Sequence, residues 1–87
     1  MEFFCMQTIK LINVTGRDRP GLTAKMTSLL SAGDMEVLDM GQAIIHDFLT
    51  LGVLVRFDAS RLSVIDSVRD LFLQEGLNVE SAEVSDA

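Results

Sequence analysis

The sequence has no tryptophan and no tyrosine, and it has one cysteine, one histidine and one proline. Each scarcity removes a class of function. The single Cys5 rules out an internal disulfide and any cysteine-based metal site. A copper or zinc carrier would need a Cys-x-x-Cys on its first loop, and that loop holds no cysteine. One imidazole makes no metal site either, so His46 reads as a partly exposed residue at a hairpin end. The five aromatic residues are all phenylalanine, and Phe57 and Phe72 fit buried positions. RNA-recognition sheets stack bases on exposed rings, which this pattern does not supply. Basic residues are also few, with seven Lys and Arg against thirteen Asp and Glu, for a net charge of −6. Phosphate neutralisation supplies most affinity for nucleic acid, so an acidic chain without a basic stripe binds it poorly. Long apolar runs are missing, so no segment suits a bilayer. Met1–Met6 lacks the basic start of a signal peptide. The expectation is a cytoplasmic protein with no nucleic-acid or membrane partner and no cofactor.

What the sequence does have is regular apolar spacing. Its 87 residues suit one domain, 1–87, whose small core gains from pairing with another copy or attachment to a longer chain. Thr8 to Thr15 predicts a strand with Ile9 and Leu11 on one face and Ile12 and Val14 on the other, hence a central one. Pro20 suits the first turn of a helix, Asp18 its cap, and Leu22, Met26, Leu29 and Leu30 its buried face. Gly33 is placed to end that helix in a left-handed conformation. Met35 to His46 predicts a second strand, with a bulge or close backbone approach at Gly41. Asp47 opens a short turn, and Leu49, Leu51, Val53, Val55 and Phe57 alternate with Thr50, Gly52, Leu54 and Arg56 in a third strand. Asp58 and Ser60 offer caps to a second helix with a stripe of Leu62, Ile65, Val68 and Phe72, widened by Val64 and Leu71, and ended by Gly76. Leu77 to Val84 predicts the last strand, with a bulge near Ser81 where the apolar face switches. The order βαββαβ predicts an α+β, ferredoxin-like sandwich: a four-stranded antiparallel sheet with two helices on one face. Its other face, carrying Ile9, Leu11, Leu54 and Gly52, is expected to be a partner surface.

The stretch VTGRDRPGLT, Val14 to Thr23, joins the first strand to the first helix. Three readings suit it. As a catalytic loop of an acylphosphatase-like hydrolase, Arg17 and Arg19 would grip phosphate. Against that, Pro20 removes a backbone N–H and no Asn stands on the third strand. The chain also lacks a Ser-His-Asp set and an Asp-x-Asp pair, so no enzyme activity is expected of it. As a cradle, Gly16, Gly21 and the helix N-terminus offer N–H groups to a carboxylate, and Asp18 accepts from an ammonium. On that reading Gly21→Val blocks the ligand while keeping the fold. As a bare Pro-Gly connection, the loop binds nothing. The residues alone leave cradle and connection open.

Thr15 to Val55 resembles an ACT domain, a small-molecule-binding regulatory module of amino-acid metabolism, through its Asp-Arg-Pro-Gly turn. The stretch LDMGQAIIHDFLTLGVLV further resembles the ACT region of bacterial phosphoserine phosphatases. The resemblance implies a regulatory domain for an amino acid, L-serine among them, at the N-terminus of a longer phosphatase of serine biosynthesis. Ser85-Asp86-Ala87 fits a boundary just after the last strand, and a magnesium ion would belong to the downstream domain. It implies a homodimer, or pairing with a second ACT or catalytic domain, with ligands between the first loop of one copy and the second strand of another. By position, Asp18, Arg19, Gly21 and Leu22 would form one wall, and Met35, Glu36 and Leu38 the other, with Gln42 nearby. Gly16 and Asp18 stand where serine-sensing relatives carry His and Asn, and Glu36 where some carry Asn. A ligand-free structural dimerisation module is the alternative.

Overall fold

A computed structural model describes residues 7–84. The readings placed on Met1–Met6, including Cys5, and on Ser85–Ala87 lie outside the described residues. β1 (Gln7–Arg17), β2 (Glu36–Ile45), β3 (Phe48–Asp58) and β4 (Asn78–Glu83) form one antiparallel sheet in the order β2-β3-β1-β4. β1 is therefore central, as its two apolar faces require. Ile12 and Val14 lie opposite Val53 and Leu51, so the even positions of β1 share a face with the odd positions of β3. That face packs on Leu22, Met26 and Leu30 of α1 (Leu22–Ala32) and on Ile65, Val68 and Phe72 of α2 (Leu62–Gln74) in one apolar core. Both helices thus cover the same side of the sheet, which is the ferredoxin-like arrangement.

The two helices end alike. After α2, Gly76 is left-handed (φ 83°), its N–H donates to the Leu73 carbonyl at 3.0 Å, and the Leu77 N–H donates to that of Phe72 at 3.1 Å. This is a Schellman closure, and it delivers buried Leu77 back onto the core. After α1 the same bonds run from Asp34 to Ser31 and from Met35 to Leu30, so the left-handed residue is Asp34 (φ 63°), not Gly33 (φ −89°). Gly33 answers a packing demand instead: a Cβ there would lie 2.5 Å from Val64 Cγ1.

Other local expectations are corrected. Pro20 precedes α1, whose cap is Gly21 without any side-chain bond, so Asp18 does not cap it. The bulge in β2 falls at Leu38, between Val37 and Asp39, while Gly41 pairs regularly with Gly52 and has no close neighbour. β4 pairs with β1 without interruption from Asn78 to Glu83, so there is no bulge at Ser81. Its core face turns polar because exposed Ser81 and Glu83 follow Val79 along it, and Ala82 simply lies on the other side opposite Leu11. In α2, Leu62 and Leu71 are 43% and 37% exposed, so the buried stripe is narrower than the spacing predicts. Asp58 caps a short 3-10 turn, Ala59–Arg61, rather than α2 itself. The Ser60 backbone N–H, then the Ser60 hydroxyl, hold the Asp58 carboxyl below its ordinary range.

Candidate functional site

The loop after β1 is shaped by its proline and glycine. Gly21 (φ 88°, ψ 0°) follows Pro20 with the angles that a type II turn reserves for glycine. Its carbonyl accepts the Lys25 N–H at 2.9 Å and so begins α1. No side chain caps the N–H groups of the first turn, which leaves them available to a small anion. The Asp18 N–H donates to the Asp47 carbonyl at 2.8 Å and ties the loop to the β2–β3 hairpin. That hairpin turns through His46 and Asp47, both left-handed (φ 49° and 72°), the signature of a tight primed turn. The bulge at Leu38 also matters here. It shifts the parity of β2 so that Gln42, opposite Leu51, faces the helices, where its amide oxygen accepts from the Thr23 hydroxyl. Asp18, Gly21, the start of α1 and Gln42 therefore stand at one end of the sheet.

The remaining predicted residues are placed differently. Gly16 lies within β1, opposite Leu49, and is not part of a free loop. Leu22 and Met35 are 5% and 6% exposed, so their side chains belong to the core. Arg19 turns toward the end of α2, donating to the Glu75 carbonyl (2.9 Å) and carboxylate (3.0 Å). Lys25 meets the same carboxylate and sits 5.9 Å from the Phe72 ring centroid, while Arg17 lies 5.9 Å from that of Phe48. Arg19 and Lys25 thus converge on Glu75 while Arg17 turns to Phe48, so the three cations form no common grip on a phosphate. Glu36 pairs with Arg56 at 2.9 Å, at the end of the sheet away from the loop, and Leu38 lies near it. Along β2 that end is roughly 30 Å from Ile45. One chain does not bring the two predicted walls together. Thr23, Asp47 and Glu75 are the neighbours that sequence reasoning missed. No periodicity links Arg19 to Glu75, 56 residues on. A Cβ at Gly21 would meet no atom within 4 Å, yet φ 88° strains a β-branched residue, so Gly21→Val would not leave the fold untouched.

A family model described as the ACT domain matches residues 8–81. The chain belongs to the ACT domain family. Its domain type is regulatory and ligand-binding. Phosphoserine phosphatase SerB2 of Mycobacterium tuberculosis is 47% identical over 45 residues, which are 52% of this chain and 11% of that protein. UPF0237 protein NMB1653 of Neisseria meningitidis serogroup B is 33% identical over 66 residues, 75% of this chain and 71% of that one. Among solved structures, a candidate glycine cleavage system transcriptional repressor superposes with a TM-score of 0.84 at 21% identity, over 93% of this chain and 48% of its own. This ACT domain thus spans about a tenth of SerB2 and about half of the repressor. Among the described residues no helix is long and apolar enough to cross a membrane.

Proposed function

We propose that the chain is the amino-acid-sensing part of a longer cytoplasmic protein, a phosphoserine phosphatase of serine biosynthesis, with L-serine as the first ligand to test. The observation that carries this reading is the uncapped start of α1 beside Gly21, next to Asp18 and the Thr23–Gln42 pair. A zwitterion matches that spot, with its carboxylate toward the free N–H groups and its ammonium toward Asp18. The second wall calls for a second copy. β2 is an edge strand with every residue exposed except Met40. Two such strands paired antiparallel about a two-fold axis would set the Glu36 end of one beside the Ile45 end of the other. Glu36 and Leu38 of the second copy would then approach the first loop.

Thermal unfolding in the presence of L-serine and glycine tests this reading. A ligand of the folded state at a hundred times its Kd adds about 2.7 kcal/mol. For a domain of this size that raises the Tm by about 10 °C or more. No shift with any amino acid would reject the sensor. It would favour the ligand-free pairing module, which the engagement of Arg19 by Glu75 and the burial of Leu22 support. Phosphatase activity of the full-length protein, and its response to serine, tests the parent enzyme separately.

A further inference from the structure

Beside the first loop, one carboxylate holds two cations. Glu75, at the C-terminal end of α2, accepts from Arg19 on Oε1 at 3.0 Å and from the Lys25 ammonium on Oε2, so each oxygen serves a different cation. Arg19 also donates to the Glu75 backbone carbonyl at 2.9 Å. That carbonyl is one of the orphan acceptors of a helix end, where a cation is favoured. Both cations flank Gly21. Arg19 stands two residues before it, and the Lys25 N–H closes on its carbonyl at 2.9 Å. Helical side chains lean toward the helix N-terminus, so that of Lys25 leans back over the first turn of α1. A guanidinium and an ammonium sharing one carboxylate is the arrangement that a bound anion would create. Here the chain supplies the anion itself, from 56 residues beyond Arg19. The first turn of α1 has no acidic residue, and Arg17 is turned to Phe48. Around the loop, Asp18 and Glu75 therefore balance Arg19 and Lys25.

We infer that Glu75 sets the charge of the ligand: it takes the place of a second anionic group, so the site admits a zwitterion and turns away the same amino acid carrying a phosphate. The inference rests on the sensor reading above and adds the selectivity of that site. A zwitterion brings no net charge and needs only the free N–H groups and Asp18. A phosphorylated side chain brings about −1.5 to −2 further charge. The cations that would grip it are already held, and the Glu75 carboxylate repels it. With its side chain 26% exposed, Glu75 is partly shielded from the solvent that would screen this repulsion. Glu75 acts through Arg19 and Lys25 and is a positioning residue, not a contact of serine. On the parentage proposed above, the distinction separates the product of the phosphatase from its substrate.

Isothermal titration calorimetry of the full chain and of Glu75→Gln, with L-serine, O-phospho-L-serine and inorganic phosphate, tests the inference. Glu75→Ala is run alongside in case the first variant fails to fold, and circular dichroism reports the fold of each. The parent chain should bind serine and bind phosphoserine at least about tenfold more weakly. Removing the carboxylate should tighten phosphoserine by about tenfold and leave the serine Kd within about twofold. Adding Arg19→Gln to Glu75→Gln should abolish the gain. A parent chain that binds the two amino acids equally overturns the inference. So does a variant that gains no phosphoserine affinity, or that loses both ligands together, which would mark Glu75 as a purely structural tie. Serine reads the sensor separately. If no chain binds serine but Glu75→Gln gains inorganic phosphate through Arg19, the sensor falls and the masking of the cations by Glu75 stands. If neither serine nor phosphate binds any chain, both fall.

Discussion

Gly16→Ala is expected to cost about 3 kcal/mol of folding stability, whether or not a ligand is present. An added Cβ would lie 2.5 Å from Leu77 Cδ2 and 3.4 Å from its Cα. Leu77 has little room to retreat. It is 3% exposed, and its N–H is fixed on the Phe72 carbonyl by the closure of α2. Gly16 is equally held, by pairing with Leu49. A domain of this size has ΔG of only about 5–15 kcal/mol, so the loss is a large fraction of the total. Its Tm should fall by more than about 10 °C. Urea or thermal denaturation of the variant checks this. An unchanged midpoint would mean that Leu77 yields easily, returning Gly16 to a role at the loop.

Phe72→Ala is expected to be the more damaging change, at about 3–5 kcal/mol. Its ring is fully buried, in the same core as Leu77, Val68 and Met26. It also faces Lys25, whose ammonium is shared with Glu75, so truncation removes the surface on which the end of α2 meets α1. The Tm should drop by about 15 °C or more. Leu71→Ala, one residue away but 37% exposed, serves as the control and should cost about 1 kcal/mol or less. Similar losses at the two positions would contradict the assigned face of α2.

These two predictions mark the boundary of what sequence alone could say. β3 was fully legible, because Leu49 through Phe57 alternate on a strand with neighbours on both edges and a helix layer above. β2 was legible only as a strand. It lies at an edge, exposed on nearly all residues, so burial imposes little pattern on it and the bulge at Leu38 leaves no signature. The closing residues of α1 were misread because Asp34, rather than a glycine, takes the left-handed position. The Pro-Gly turn was readable from local chemistry, since Gly21 needs its positive φ wherever the chain goes next. Gly16 was not, because its demand comes from Leu77, far along the chain. The same holds for the site. Asp18, Gly21 and Gln42 gather at one end, while the tie from Arg19 to Glu75 and the separation of Glu36 depend on tertiary placement.

The central claim is that an amino acid binds at the start of α1. The most direct measurement is an NMR titration of the isotope-labelled chain with L-serine. Serine bound there gives saturable backbone amide shifts over residues 18–24 and at Gln42, with weaker effects at Glu36 and Leu38 that disappear when the chain is diluted to monomer. Amides that do not move at millimolar serine, or that move only on the opposite face of the sheet, would contradict it.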